Sequence, residues 1–407
     1  MRQRRGRSRG QFLFGRGYGA GGGSEMAALS FGLNFNDVGS GQVNTTVFSG
    51  SVSPTFTRAS VAWTKLASGL WAQVATGVPR SAYLGANTIS GATTGYGGYL
   101  SEGARTQLVT PTAAIRDMTG AAWVKTNVTA AKTATGIDGA ASSATRLTAG
   151  AIGGSILQTL VAAASTRTYS VWLRRVSGTG TVTISQGATT LDVTASLNSS
   201  TYTRVELSAS VLNAAFGITF GTSGDVIEAD FNQFEAGSFA STPIDAAGAA
   251  RNADVLTYPT TGWLNASSGT LYAEYNIFAV NVGLNNRIFS LDDGSASEAI
   301  VLDTQSGTNA RLVVEDGGAN KVALPVTNTI SANETAKACA VYTANDFAIS
   351  MNGGTIATDT SGTIPTPTQA QIGGAFSVAG DEINGYIRRV TYWPRRLSNE
   401  TLVSITS

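Results

Sequence analysis

The most constraining feature of this sequence is a series of short segments in which apolar and polar residues alternate. They are rich in Val, Ile, Thr and aromatic residues, and spacers such as GTG, DDGS, EDGG and NGG favour tight turns between them. The segments lie at 166–176, 180–185, 190–197, 201–211, 269–280, 286–291, 310–316, 346–352 and 385–393. Many short strands at regular spacing predict an all-β fold of tandem antiparallel β-sandwich (jelly-roll) domains.

Composition suggests where the domains begin and end. The 407 residues are enough for two or three domains. A turn-rich gap near residue 110 and a connector near residue 245 divide the strand-bearing part of the chain. We predict a flexible basic arm, an N-terminal β unit, a jelly roll and a final β-sandwich, with boundaries at 1–24, 25–110, 111–245 and 246–407. The final unit ends in RRLSNETLVSIT, which predicts a short helix with Ser398 as its N-cap.

Several residue types are scarce, and their scarcity limits the chemistry. There is no histidine, so a Ser-His-Asp or Cys-His arrangement cannot form. The single cysteine, Cys339, cannot form an internal disulfide, and its apolar surroundings predict a small buried side chain. The sequence has no run of 18 consecutive apolar residues, so we expect no membrane span. The N-terminus lacks the apolar core of an export signal, so we expect none.

The N-terminal arm differs from the rest of the chain in both charge and composition. It holds six arginines and no acidic residue. The rest of the chain then has 21 basic and 26 acidic side chains, so it is negatively charged overall. Three interpretations are open: an anchoring peptide that orders on a protein partner, a disordered tail, and a segment that contacts nucleic acid. We favour the anchor, in which arginines pair with acidic groups and aromatic side chains fill an apolar pocket. The anchoring residues would be Arg2, Arg4, Arg5, Arg7, Arg9, Phe12 and Phe14.

Adjacent acidic residues are the remaining candidates for catalysis. The pairs Asp292–Asp293, Glu315–Asp316 and Asp381–Glu382 lie beside glycine or small polar residues. Neighbouring residues on a strand point to opposite faces, so no pair shares one site by default. We expect solvated turn acids. A bound calcium ion and a carboxylate pair that hydrolyses a glycosidic bond are the alternatives. No cofactor is predicted.

Several phrases together resemble those of tailed-bacteriophage virion proteins. In that family a "TRAS" phrase, a "PR" phrase and an "EGARTN" phrase follow one another. Here they are PTFTRAS (54–60), GVPRSAY (77–83) and GGYLSEGARTQL (97–108), with Gln107 where Asn is usual, and RNAD (251–254) follows later. The resemblance extends over nearly all of residues 50–407 and does not include the arm.

The middle and the end of the chain resemble two domains of the same phage proteins. The middle is similar to their carbohydrate-binding-type jelly roll, through AAWVKTNVTA (121–130), IDGAASSATRLT (137–148), TYSVWLRR (168–175) and DFNQFEAGSFASTPI (230–244). The end, 383–407, is similar to the closing strand and helix of laminin-G or concanavalin-like sandwiches. Fold analogy does not by itself establish binding, so a site must be argued from residues.

A glycan site would need flat aromatic faces and polar groups on an open sheet surface. In TYSVWLRR, alternation places Tyr169 and Leu173 on one face and Trp172 and Arg174 on the other. If the first face is core, Trp172 and Arg174 could contact a glycan. The alternative, which we favour, packs Trp172 against a neighbouring subunit or domain. Three other tryptophans are expected in structural roles. Trp123 is expected in the core, Trp263 between domains, and Trp393 at the end of a core strand.

The resemblance implies a non-enzymatic fibre, spike or decoration located in the virion. Its arm would bind other virion proteins of the capsid, neck or tail, its sandwiches would bind a host-surface polysaccharide, and analogy with phage fibres implies a homotrimer. The alternatives are a polysaccharide depolymerase and a purely structural capsid or tail decoration.

Overall fold

A computed structural model of the chain describes residues 31–35, 52–81, 97–110, 114–244, 247–279, 285–306, 308–374, 376 and 382–407. The described residues form antiparallel sheets that stack into two β-sandwiches, which confirms the predicted fold class. The anchoring residues predicted in the arm lie outside the described residues.

The strands follow one another in three groups along the chain. Before residue 110 lie β1 (Phe31–Asn34), β2 (Thr55–Thr57), β3 (Ala62–Lys65), β4 (Trp71–Val74), β5 (Tyr99–Ser101) and β6 (Arg105–Thr106). The middle group is β7 (Val124–Thr126), β8 (Val128–Ala134), β9 (Ala144–Ala149), β10 (Ser155–Thr159), β11 (Ser165–Ser177), β12 (Val182–Gln186), β13 (Thr189–Asp192), β14 (Thr203–Val211), β15 (Ala215–Phe220) and β16 (Val226–Ala236), with a 3₁₀ turn at Thr194–Ser196. The last group is β17 (Ala250–Arg251), β18 (Val255–Pro259), β19 (Ser268–Ile277), β20 (Asn286–Asp292), β21 (Ala299–Gln305), β22 (Asn309–Asp316), β23 (Ala319–Pro325), β24 (Thr335–Thr343), β25 (Asp346–Met351), β26 (Ala357–Asp359), β27 (Gln369–Ile372) and β28 (Gly385–Trp393), followed by helix α1 (Asn399–Thr406).

The first sandwich is formed by the middle group of strands. Its front sheet has the order β14-β11-β16-β9-β8, and its back sheet has the order β13-β12-β15-β10-β7. Alternation on β11 directs Tyr169 and Leu173 inward, where they meet Phe216 and Ile218 of β15. Trp123 is buried in this core and contacts Phe216 edge-on, as predicted.

The second sandwich is larger and uses strands from both ends of the described chain. One sheet has the order β1-β28-β19-β24-β25-β26, with β5 also paired to β28. The other sheet has the order β2-β18-β27-β20-β21-β22-β23. Trp263 was expected between domains, but it lies inside this core. It stacks on Phe31 at 4.3 Å between ring centroids and contacts Tyr392 edge-on. The expectation was wrong because β1, which lies far earlier in the chain, joins this sheet and packs Phe31 against Trp263.

The described part of residues 25–110 does not lie in a unit of its own. Strands β1 and β5 pair with β28, and β2 pairs with β18, so all three complete the second sandwich. The hairpin β3–β4 instead lies over the front sheet of the first sandwich, where Trp63 and Trp71 join its core cluster. These strands have two to four residues each. Such short strands cannot enclose a core alone, and they bury their apolar side chains against the two larger sheets.

Helix α1 covers the outer face of β24 and β25. Ser398 accepts a hydrogen bond from the backbone N–H of Thr401, which confirms the predicted N-cap. Leu402 and Ile405 pack in one buried cluster with Trp393 and Cys339. Cys339 is therefore a core side chain, as predicted, and Trp393 ends the core strand β28.

A buried ion network links the end of the first sandwich to the second. Arg80 lies 2.6 Å from Glu102 and 2.7 Å from Asp254, and both acids bind a further guanidinium: Arg58 lies 2.7 Å from Asp254, and Arg251 lies 3.0 Å from Glu102. All five side chains have at most 1% exposure. They come from the TRAS, PR, EGART and RNAD phrases, so those phrases build a structural joint.

Candidate functional site

Trp172 lies on the outward face of the front sheet, as alternation predicts, but its ring is covered. It is 4% exposed and contacts Trp71 and Phe231 edge-on, with ring centroids 5.5 and 6.1 Å away. The Arg204 guanidinium lies 4.3 Å from the ring centroid. The structure therefore places Trp172 beneath the β3–β4 hairpin of its own chain, and its faces are not open for a sugar. The favoured alternative was packing against a neighbouring subunit or domain, and the group that covers Trp172 is the hairpin of residues 62–74 of the same chain.

Arg174 lies two residues further along β11, where the hairpin no longer covers the sheet. Its side chain is 27% exposed. Its Nε donates a hydrogen bond of 2.9 Å to Glu228 Oε2, its Nη2 binds the same oxygen, and its guanidinium lies 4.8 Å from the Tyr202 ring centroid. The sequence-predicted Arg174 is thus partly open to solvent and held in a fixed orientation.

Arg146 reaches the same glutamate from the other side. Strand β16 pairs with both β9 and β11, and in each pairing Glu228 is the direct partner of an arginine. Arg146 Nη2 donates a 2.7 Å hydrogen bond to Glu228 Oε1, and the Arg146 side chain is 46% exposed. We call the set Arg146, Arg174, Glu228 and Tyr202 the arginine row.

The electrostatics of the arginine row fix its charge state. Glu228 has only 2% side-chain exposure. Burial favours its neutral form, but the hydrogen bonds from Arg146 and Arg174 outweigh this effect, so its pKa is lowered and it is ionised at neutral pH. Burial, together with the Glu228 charge, raises the pKa of Tyr202, whose hydroxyl donates to the Thr135 carbonyl at 2.9 Å. The row therefore carries two cations around one anion, with a neutral phenol beside them.

The arrangement leaves hydrogen-bond donors available on a rigid surface. Arg174 uses Nε and Nη2 on Glu228, so its Nη1 makes no hydrogen bond to the described protein. Arg146 uses only Nη2. Planar guanidiniums with free N–H groups bind carboxylates and hydroxyls well. Sequence reasoning found Arg174 and missed Arg146 and Glu228, because only the strand register brings these residues together.

A second ionic cluster lies beneath the same hairpin, and all three guanidinium nitrogens of its arginine are already hydrogen-bonded. Arg116 binds Asp230 through Nε at 2.7 Å and Asp138 through Nη1 at 2.7 Å, and its Nη2 contacts both acids and Ser143. Burial raises the pKa of Asp230, whereas Arg116 holds that of Asp138 at about 2 against the opposing effect of burial. This cluster fixes the β8–β9 loop.

The adjacent acids of the second sandwich serve the chain's own turns. Asp293 is an exposed turn acid that accepts from Ser295, as expected. Asp292 was expected to be solvated but is fully buried, and it accepts from Gln369, Ser290 and the Gly294 backbone. The expectation was wrong because the strand end that carries Asp292 is covered by its neighbours. Asp381 lies outside the described residues.

The described part of the chain shows neither a metal centre nor a membrane-spanning helix. It holds no group of three or more acidic, cysteine or histidine side chains placed to bind a metal ion. It also holds no helix long and apolar enough to cross a membrane.

Comparisons with known proteins found structural likenesses only. No protein-family model and no curated protein matches the sequence. The CBM40 of a Ruminococcus gnavus IT-sialidase bound to α2,3-sialyllactose is 15% identical, with 35% of this chain and 83% of that chain covered and a TM-score of 0.31. A heptameric SAP-like pentraxin from Limulus polyphemus is 15% identical, with 35% and 70% covered and a TM-score of 0.27. The NanB sialidase of Streptococcus pneumoniae is 14% identical, with 35% and 24% covered and a TM-score of 0.29. Likenesses of this size do not assign the chain to a family.

Proposed function

We propose that this protein is a non-enzymatic component of a tailed-phage particle that binds a host-surface polysaccharide through its β-sandwiches. The observation that carries the binding proposal is the arginine row on the open part of the front sheet. Its exposed guanidiniums are held in place by a buried glutamate, so little side-chain entropy is lost when a ligand binds.

The chemistry of the row favours an acidic polysaccharide. An arginine fork recognises a carboxylate or sulfate better than a neutral hydroxyl, because the hydrogen bonds are charge-assisted. The buried Glu228 carboxylate balances only one of the two arginines, which leaves one positive charge for the ligand.

The virion part of the proposal is supported by the sequence resemblance of residues 50–407. In this proposal the arm, with its six arginines and its Phe12 and Phe14, binds capsid, neck or tail proteins, and the protein assembles as a homotrimer. The absence of histidine and the use of Asp292 and Asp293 in turns support a binding role over a depolymerase.

Binding would be tested on an array of bacterial surface polysaccharides, with affinities then measured on immobilised acidic and neutral polymers. Arg146→Gln should weaken binding to the acidic polymer about tenfold, the value of one charge-assisted hydrogen bond. Lys132→Gln is the matched control, because Lys132 is 42% exposed and lies on the neighbouring strand. Equal binding by wild type and Arg146→Gln would overturn the site, and new reducing ends in the polymer would overturn the non-enzymatic role.

The anchoring role would be tested separately. Deleting residues 2–18 should give folded protein that no longer enters particles, because the proposed anchor is gone. Normal incorporation of the truncated protein would overturn it. Salt-sensitive DNA binding that the truncation abolishes would instead favour the nucleic-acid interpretation.

A further inference from the structure

The second sandwich carries a cluster that repeats the components of the arginine row. Asp303 on β21 is fully buried and is bound by both arms of Arg311, with Nε–Oδ1 at 3.0 Å and Nη2–Oδ2 at 2.7 Å. A second arginine, Arg287, lies 4.0 Å from the same carboxylate and 4.7 Å from the Phe376 ring centroid. We call Arg287, Asp303, Arg311 and Phe376 the Asp303 site.

The two sites share one plan. In each, a buried acid lies between two arginines from different strands, and one of the guanidiniums lies over an aromatic ring less than 5 Å away. Arg146, Arg174, Arg287 and Arg311 are all at least partly exposed, while Glu228 and Asp303 have 2% exposure or less. The pairing of β20, β21 and β22 creates the second site, just as the pairing of β9, β16 and β11 creates the first.

The Asp303 site also lies on an outward sheet face. On β21, Ile300 and Leu302 point into the core, so Asp303 and Val301 point outward. On β22, Arg311 and Val313 share that outward face, and Val301, Val313 and Phe376 form an apolar cluster beside the charges. Val301, Phe376 and Val313 are 0%, 4% and 7% exposed, so this cluster supports the charged side chains from beneath and a ligand would contact the arginines.

Arg311 supplies the donor for a ligand. Its Nε and Nη2 are bound to Asp303, and its Nη1 makes no hydrogen bond to the described protein. The Arg311 side chain is 15% exposed. Because Asp303 fixes the guanidinium plane, Nη1 is preoriented in the same way as the open donors of the arginine row.

We propose that the Asp303 site is a second binding site for an acidic polysaccharide, so that one chain binds the polymer at two places. This proposal rests on the proposed function, because it assigns the same ligand class to both sites. A repeating polymer can occupy both sites at once, and the second contact then forms at a high effective concentration. Such coupling strengthens binding to a long polymer by about 10²–10⁴ over one site.

The test uses two matched substitutions that add a negative charge beside each site without removing any contact. Ala131 is exposed and pairs directly with Arg146, so Ala131→Glu places a carboxylate next to the arginine row. Ala323 is exposed and pairs with Val313 on β22. It lies two residues from Pro325, the cross-strand partner of Arg311, so Ala323→Glu places a carboxylate next to the Asp303 site. Val124→Glu, at an exposed position on the back sheet, and Ala319→Glu, four residues along β23, are the charge controls.

The measurement is titration of the full chain with a short polyuronate, with sulfated heparin oligosaccharide and neutral dextran in parallel. We expect two molecules of the acidic oligosaccharide bound per chain for wild type and both controls, one for each single variant, and none for the double variant. On the long polymer each single variant should lose the coupling between the sites, a loss of about 10²–10⁴ in affinity. Melting curves would check that every variant is folded.

The outcomes separate this proposal from the proposed function. One oligosaccharide per chain, lost in Ala131→Glu and unchanged in Ala323→Glu, would overturn the Asp303 site and leave the arginine row intact. Binding lost only in Ala323→Glu would assign the ligand to the Asp303 site alone and overturn both the arginine row and the two-site arrangement. No binding by wild type to any acidic probe would overturn both proposals together.

Discussion

Neutralising Glu102 should destabilise the joint between the two sandwiches. Glu102 accepts hydrogen bonds from Arg80 at 2.6 Å, Arg251 at 3.0 Å and the Thr242 backbone at 2.9 Å. Burial favours the protonated acid, but the charges of Arg251 and Arg80 and the bonds from Thr242 hold its pKa at about 2, against an ordinary 4.5. At about 1.4 kcal/mol per pKa unit, the shift corresponds to about 3 kcal/mol of stability at neutral pH.

Glu102→Gln keeps the shape of the side chain and removes its charge. Arg58, Arg80 and Arg251 then have Asp254 as their remaining acidic contact in the network, and breaking one partner of a buried ion pair costs about 3–5 kcal/mol. In scanning calorimetry the variant should melt about 4–6 °C below wild type. Glu315→Gln is the control, because Glu315 is only partly buried and contacts Asn320.

A double variant makes the test sharper. Glu102→Gln combined with Arg80→Met removes one charge of each sign, so it should cost less than the sum of the two single changes. A melting temperature of Glu102→Gln within about a degree of wild type would refute the network as a source of stability. Strict additivity in the double variant would show that the two charges are not coupled.

Three further predictions concern the pH dependence, the N-terminal strand and the hairpin. Because the pKa of Glu102 is lowered in the folded protein, its contribution to the free energy of unfolding is fully present above about pH 4.5 and is lost as the pH falls toward 2. In acid-denaturation curves wild type should therefore lose more stability than Glu102→Gln over that range. Phe31→Ala should cost about 3–5 kcal/mol in denaturant unfolding, since the ring is fully buried against Trp263, and an unchanged curve would contradict the placement of β1 in the second sandwich. Trp71→Ala should uncover Trp172 and increase its oxidation by hydroxyl radicals, read by mass spectrometry of the peptide that contains it, whereas oxidation that does not increase would show that another group covers the ring.

The limits of sequence reasoning are clearest at Trp172. Alternation correctly separated Tyr169 from Trp172, because side chains on a strand alternate between faces whatever lies above them. Alternation does not say what covers each face. The covering group is a hairpin about 100 residues earlier in the chain, so only the tertiary fold could decide between an open and a buried Trp172.

The same reason explains why half of the arginine row was missed. Arg146 and Glu228 are 82 residues apart in the chain and become neighbours through the register of β9 and β16. Each is an ordinary outward residue of an alternating strand when it is taken alone. Caps and turns were easier to predict, as at Ser398, because their partners lie within a few residues.

The residues behind the phage resemblance divide into two physical classes. Arg58, Arg80, Glu102, Arg251 and Asp254 have at most 1% side-chain exposure and hold the sandwiches together. Arg146 and Arg174 belong to the jelly-roll phrases and keep exposed donors. A substitution in the first class should change stability, and under the proposed function one in the second should change ligand binding and also weaken the pairing of the buried Glu228. The first class therefore accounts for how the two sandwiches of this chain are joined, whereas the proposed ligand contacts depend on the open face of its front sheet.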